Sequence, residues 1–87
     1  MDNKVLVHLS VPEVGKSYDI YLPVNRKMGN IILLLNKAVN ELTNGDYPIS
    51  NNNGLFNADT HETYNIDVLL LNTNIRNGTK LILISCQ

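Results

Sequence analysis

The stretch Lys4-Val5-Leu6-Val7-His8-Leu9-Ser10-Val11 alternates: Val5, Val7, Leu9 and Val11 fall on one side, and Lys4, Leu6, His8 and Ser10 on the other. A period of two is that of a strand covered on one face. Pro12 and Gly15 then stop the run and reverse the chain, and from Ser17 to Val24 the alternation resumes with Tyr18, Ile20, Leu22 and Val24 in phase. Two alternating runs joined by a short Pro/Gly turn predict an antiparallel hairpin. After Pro23 the spacing changes. Over Met28 to Leu42 the apolar residues Ile31, Leu35, Ala38 and Leu42 recur at i, i+4, i+7 and i+11, widened by Ile32 and Val39. This spacing predicts one helix with a single apolar stripe. Asn44-Gly45 supplies a left-handed exit, and Pro48 bars continuation, so the helix ends near Thr43.

Beyond the helix the chain turns polar, with strand fragments at Leu55-Phe56 and Thr63-Tyr64 around the turn Asn57-Ala58-Asp59-Thr60. Leu71 opens a short turn, with Asp67 expected to cap the turn before Val68-Leu69. Asn77-Gly78 makes a second turn, and Leu81-Ile82-Leu83-Ile84 reads as the last strand. The order β-β-α-β-β-β with a long helix after an N-terminal hairpin admits few topologies. One of them lays the last strand beside the first, in parallel, with the helix across one face of a mixed sheet. The expectation is an α+β fold of the β-grasp kind, a single domain over residues 1–87.

Composition bounds what such a domain does. Leu, Ile and Val supply 28 of 87 residues, enough for a core without metal or disulfide. Seven Lys+Arg against eight Asp+Glu give a formal charge of −1, which leaves no cationic excess for nucleic acid or an anionic bilayer. The start Met1-Asp2-Asn3-Lys4-Val5 has neither a basic segment nor a long apolar one, and no apolar run approaches membrane-spanning length. With one cysteine, Cys86, and no internal pair, the expected compartment is the reducing cytoplasm. The 14 asparagines suggest turns and loops, and no chemistry beyond them.

Catalysis finds little support. Cys86 has no base placed by sequence beside it. His8 and His61 form no ligand motif, the carboxylates sit at turns or element ends, and the five glycines stand apart. No catalytic residue, metal ligand or cofactor is expected. The sheet carries the anomaly. If Val5, Val7 and Leu9 face the helix, Leu6 and His8 face away; if Leu81 and Leu83 face it, Ile82 and Ile84 face away, and Phe56 with them. Leu6, His8, Phe56, Ile82 and Ile84 are therefore the candidate protein-binding residues, a mostly apolar patch on the open face. Cover by a loop or by a second copy in a homodimer is the alternative use of the same patch.

The stretch from Leu71 to Leu81 resembles the ubiquitin-like pattern in which a Leu opens a 3₁₀ turn, an Ile closes it and an Asn-Gly turn leads into the last strand. Lys16-Ser17-Tyr18-Asp19-Ile20-Tyr21-Leu22-Pro23, followed by Met28-Gly29-Asn30-Ile31-Ile32, is similar to the small bacterial ubiquitin-like proteins of the YukD/EsaB family. That family is encoded with the type VII secretion machinery of Gram-positive bacteria. The resemblance implies a non-enzymatic accessory or regulatory component of that machinery, with the motor ATPase or the pseudokinase-like membrane subunit as partners. Covalent modifiers of this fold end in two glycines, whereas this sequence ends Ile84-Ser85-Cys86-Gln87, so modifier or sulfur-carrier activity is not expected. A free-standing adaptor unrelated to secretion is the rival reading.

Overall fold

The computed structural model describes residues 3–49 and 53–85. Cys86 and most of the run Asn51-Asn52-Asn53 lie outside the described residues, with only Asn53 inside them. Among the described residues four strands and one α-helix form: β1 (Lys4–Val11), β2 (Lys16–Pro23), α1 (Met28–Leu42), β3 (Gly54–Asn57) and β4 (Lys80–Ile84). Gly15, at φ 65°, makes the left-handed residue that a tight β1–β2 connection requires. The sheet order is β2-β1-β4-β3, with β1 antiparallel to β2, parallel to β4, and β4 antiparallel to β3. The first and last strands are therefore adjacent and parallel, and the architecture is the ubiquitin-like β-grasp.

The inward residues of each strand meet the helix. Val7, Leu9 and Val11 of β1, Leu22 of β2, Leu55 of β3 and Leu81 and Leu83 of β4 pack with Met28, Ile31, Leu35 and Val39 in one buried cluster. Leu70, Tyr47 and Ile75 complete it from the connections. Burial of this many aliphatic side chains, at roughly 1.5–3 kcal/mol each, is the main term holding the fold.

Three expectations need correction. Leu42 does not join the helical stripe: it is 55% exposed, and the last turn buries Thr43 instead. The stripe runs Met28, Ile31, Leu35 and Val39, and at the end of the helix Thr43 Oγ1 donates to the Val39 carbonyl and accepts from the Tyr47 N–H. Asn40 Nδ2 donates to the Tyr47 carbonyl at 2.8 Å, so the exit loop folds Tyr47 under the helix and Leu42 is left outside. The Thr63-Tyr64 fragment is a single bridge, Phe56↔Thr63, rather than a strand. Asp67 caps nothing with its side chain; the turn there is made by Asn65, whose Oδ1 accepts from the Asp67 N–H at 2.9 Å.

Candidate functional site

The alternation of β1 and β4 carries Leu6, His8, Ser10, Lys80, Ile82 and Ile84 to the sheet face opposite α1, and register sorts them into rows. Ser10 pairs with Ile82 and Ile82 with Phe56; Ile84 pairs with Gly54. His8 stands between Asp19 and Lys80, and Leu6 beside Tyr21.

Phe56, Ile82 and Ile84 are thereby gathered around an open depression of about 290 Å³, which Asn57 and His61 complete. Gly54 belongs to the same construction, because a Cβ there would stand 3.0 Å from the Phe56 ring. The glycine leaves room for the ring to lie along the sheet beside Ile84.

Leu6 and His8 lie elsewhere on the face. Leu6 sits one strand over and four residues along from Ile82, a separation of roughly 14 Å at standard strand spacings. Between them runs a polar row. His8 Nδ1 and Asp19 Oδ1 are 2.8 Å apart, both largely exposed, with Lys80 on the other side of His8. An exposed pair of this kind contributes at most about 1 kcal/mol. The five candidate residues thus divide into the apolar three Phe56, Ile82 and Ile84, His8 in the polar row, and Leu6, which lies apart beside Tyr21.

His61 and Asn57 are the residues of the depression that the sequence reading leaves out. The position of His61 depends on a turn anchored by Asn57, whose carbonyl accepts from the His61 N–H at 2.8 Å and whose Oδ1 accepts from the N–H groups of Asp59 and Thr60. His61 itself is left-handed at φ 62°. The Asn57-Ala58-Asp59-Thr60 turn signal was present in the sequence, but not the direction in which the turn delivers the following side chain. Tyr64 closes the far side of this loop: its hydroxyl donates to Asn74 Oδ1 at 2.9 Å and accepts from Asn57 Nδ2 at 3.1 Å. Burial raises the Tyr64 pKa above its ordinary value, opposed by the Asn57 hydrogen bond and assisted by the nearby Glu62 charge. Among the described residues, no group of three or more His, Cys, Asp or Glu is placed to hold a metal ion.

Fold and face together define a ubiquitin-like β-grasp domain with an open, partly apolar outer sheet. Solved structures of that class are similar to it. A chain of an ESX-5 inner membrane complex free of MycP5 superposes with TM-score 0.75 at 20% identity, over 93% of this chain. This chain spans about a fifth of that one, 20% of its length. The ubiquitin-like domain of the Mycobacterium tuberculosis type VII secretion protein EccD1 superposes with TM-score 0.72 at 14% identity, over 94% of this chain and 98% of that one. A chain of a toluene 4-monooxygenase HD complex is similar to almost the same degree, TM-score 0.71 at 10% identity over 93% and 96%. At these identities the likeness establishes the fold, and the fold is shared by proteins of different function. No family model and no curated protein matches the sequence. No helix among the described residues is long and apolar enough to cross a membrane.

Proposed function

We propose that this chain is a non-enzymatic ubiquitin-like component of a bacterial type VII secretion apparatus, working in the cytoplasm by binding other proteins. The observation that carries the binding role is the depression bounded by Phe56, Ile82 and Ile84. An aromatic and two β-branched side chains, each half-buried around one open depression on the sheet, are what an interface uses as anchors. The secretion assignment draws on the YukD/EsaB resemblance over the hairpin and the first turn of the helix. It is supported by the fold shared with the EccD1 ubiquitin-like domain. The motor ATPase and the pseudokinase-like membrane subunit are the partners this reading favours.

The test is the double variant Phe56→Asp/Ile82→Asp. A carboxylate at these positions stays hydrated in the free protein but would be desolvated without a partner in a complex. The expected outcome is a melting temperature close to wild type, loss of partner capture from the native host, and reduced secretion of the small helical substrates. Normal secretion by a folded double variant would remove this surface from the mechanism.

A further inference from the structure

We propose that Asn44 is a self-modifying site, the asparagine–glycine step that this fold leaves open to lose its side-chain ammonia and take up water. Three such steps occur: Asn44-Gly45, Asn53-Gly54 and Asn77-Gly78. In each the main-chain nitrogen that follows the asparagine belongs to a residue with no side chain to shield it, so it can attack the asparagine Cγ. A bond forms between the glycine N and Cγ, and the Cγ–Nδ2 bond breaks. The glycine amide proton leaves with Nδ2 as ammonia, and a five-membered imide remains. One water then opens the imide. Cleavage at Cγ leaves aspartate in a normal main chain, and cleavage at the main-chain carbonyl leaves isoaspartate, with the chain running through Cγ.

The three steps are equivalent in sequence, and hydrogen bonding separates them. At Asn77 both reacting groups are pinned to β1: Asn77 Oδ1 accepts from the Leu6 N–H and the Gly78 N–H donates to the Leu6 carbonyl, each at 2.8 Å. Freeing them means detaching the turn from a strand that lies inside the sheet. At Asn53 the side chain is 6% exposed and Nδ2 is held by Asn36 Oδ1 and the Pro48 carbonyl, while Gly54 opens β3 opposite Ile84.

Asn44 is placed differently. Residues 44–46 are exposed between Thr43 and Tyr47, both buried. Among the described residues nothing bonds the Asn44 side chain; Asn40 and Thr43 make the contacts to the Tyr47 main chain instead. The remaining restraint is the Gly45 N–H, which donates to the Asn40 carbonyl at 2.8 Å. That bond closes the last turn of α1, and helix ends open locally at far lower cost than strands inside a sheet. The attack proceeds from this opened turn.

Conversion alters this end of the domain in two ways. The new carboxylate joins Glu13 and Asp46 around the depression between the β1–β2 turn and the end of α1, where Lys16 is the one cation among the lining residues. Negative charge at a helix C-terminus is unfavourable in itself. Isoaspartate also lengthens the main chain between Thr43 and Tyr47, whose hydrogen bond fixes their spacing.

The experiment ages the full chain at physiological temperature and mildly alkaline pH, beside a sample unfolded in urea, and follows each asparagine by peptide mapping and mass spectrometry. In the folded protein Asn44 is expected to convert to aspartate and isoaspartate about tenfold or more faster than Asn53 or Asn77. In urea the three rates should converge to within about threefold, because the bonds that separate them are gone. Asn40→Ala, which removes the side-chain tie to Tyr47, should speed conversion at Asn44 and leave Asn77 unchanged. The proposal is overturned by Asn53 or Asn77 converting first in the folded protein, by an equal spread of rates in urea, or by an Asn44 that stays intact while the urea sample converts.

Discussion

The two edges of the sheet are built on opposite principles. The β3 edge is four residues long and is closed by its own connection: Thr63 bridges to Phe56, the Asn57 N–H donates to the Glu62 carbonyl, and Asn57 organises the turn between them. Asn53, just before β3, is tied to Asn36 on the helix and to the Pro48 carbonyl. The β2 edge is twice as long and has no such cover. A sheet closed by side-chain hydrogen bonds on one side and open on the other has its outer apolar depression at the closed side and its unpaired main chain at the open one. The apolar depression and the uncovered main-chain edge are thus kept at opposite sides of the sheet.

Packing should show the largest difference between the two sides. Leu83 of β4, fully buried opposite Leu55, is expected to lose roughly 2–5 kcal/mol on replacement by alanine. Ile20→Ala, at a half-buried position on β2, should lose less than half as much. Urea denaturation of the two variants gives the comparison directly, and equal losses would mean that β2 is as deeply held as β4.

Next in size is the asparagine closure. Asn57→Ala removes the acceptor for two main-chain N–H groups and the donor to Tyr64, with an expected loss of about 1–3 kcal/mol. Amide exchange at Asp59 and Thr60 should accelerate while that of Leu9 and Leu81 follows global stability alone. Uniform acceleration would make Asn57 a core residue rather than an edge closure.

This network also marks where sequence reading stopped. The hairpin, the helix from Met28 to Leu42 and the return of the last strand were legible because each rests on a periodicity that burial enforces. The asparagines suggested only turns. In the structure Asn36, Asn40, Asn53, Asn57 and Asn77 join separate segments, Asn77 Oδ1 accepting from the Leu6 N–H across 71 positions of sequence. No spacing rule reports such a contact. Likewise the alternation put Leu6, His8, Phe56, Ile82 and Ile84 on one face but carried no register, and register sets Leu6 far from the other apolar three. Leu42 was misjudged because the Tyr47 hook, a tertiary contact, takes its place.

A smaller effect of opposite sign is expected at the inward side of the open edge. The Tyr18 hydroxyl is buried with no hydrogen-bond partner. Tyr18→Phe keeps the ring and removes the unsatisfied group, so stability should rise by about 1 kcal/mol. A loss on this substitution would show that the hydroxyl is bonded in solution.

The smallest effect is at the closed edge and appears only in alkali. Burial holds the Tyr64 pKa above its ordinary value, so the folded state favours the neutral phenol more than the unfolded chain does. For a group whose folded pKa is raised, the contribution is complete below the unfolded value near 10, and it is lost as pH rises through the folded one. Unfolding free energy should therefore fall more steeply above pH 10 in the wild type than in Tyr64→Phe, which has no proton to lose there. The variant also gives up the bonds to Asn57 and Asn74, so its curve should start slightly lower at neutral pH and converge on the wild type in alkali. Parallel curves across that range would mean that Tyr64 is as free to ionise in the folded protein as in the unfolded chain, and that the closure at β3 rests on Asn57 alone.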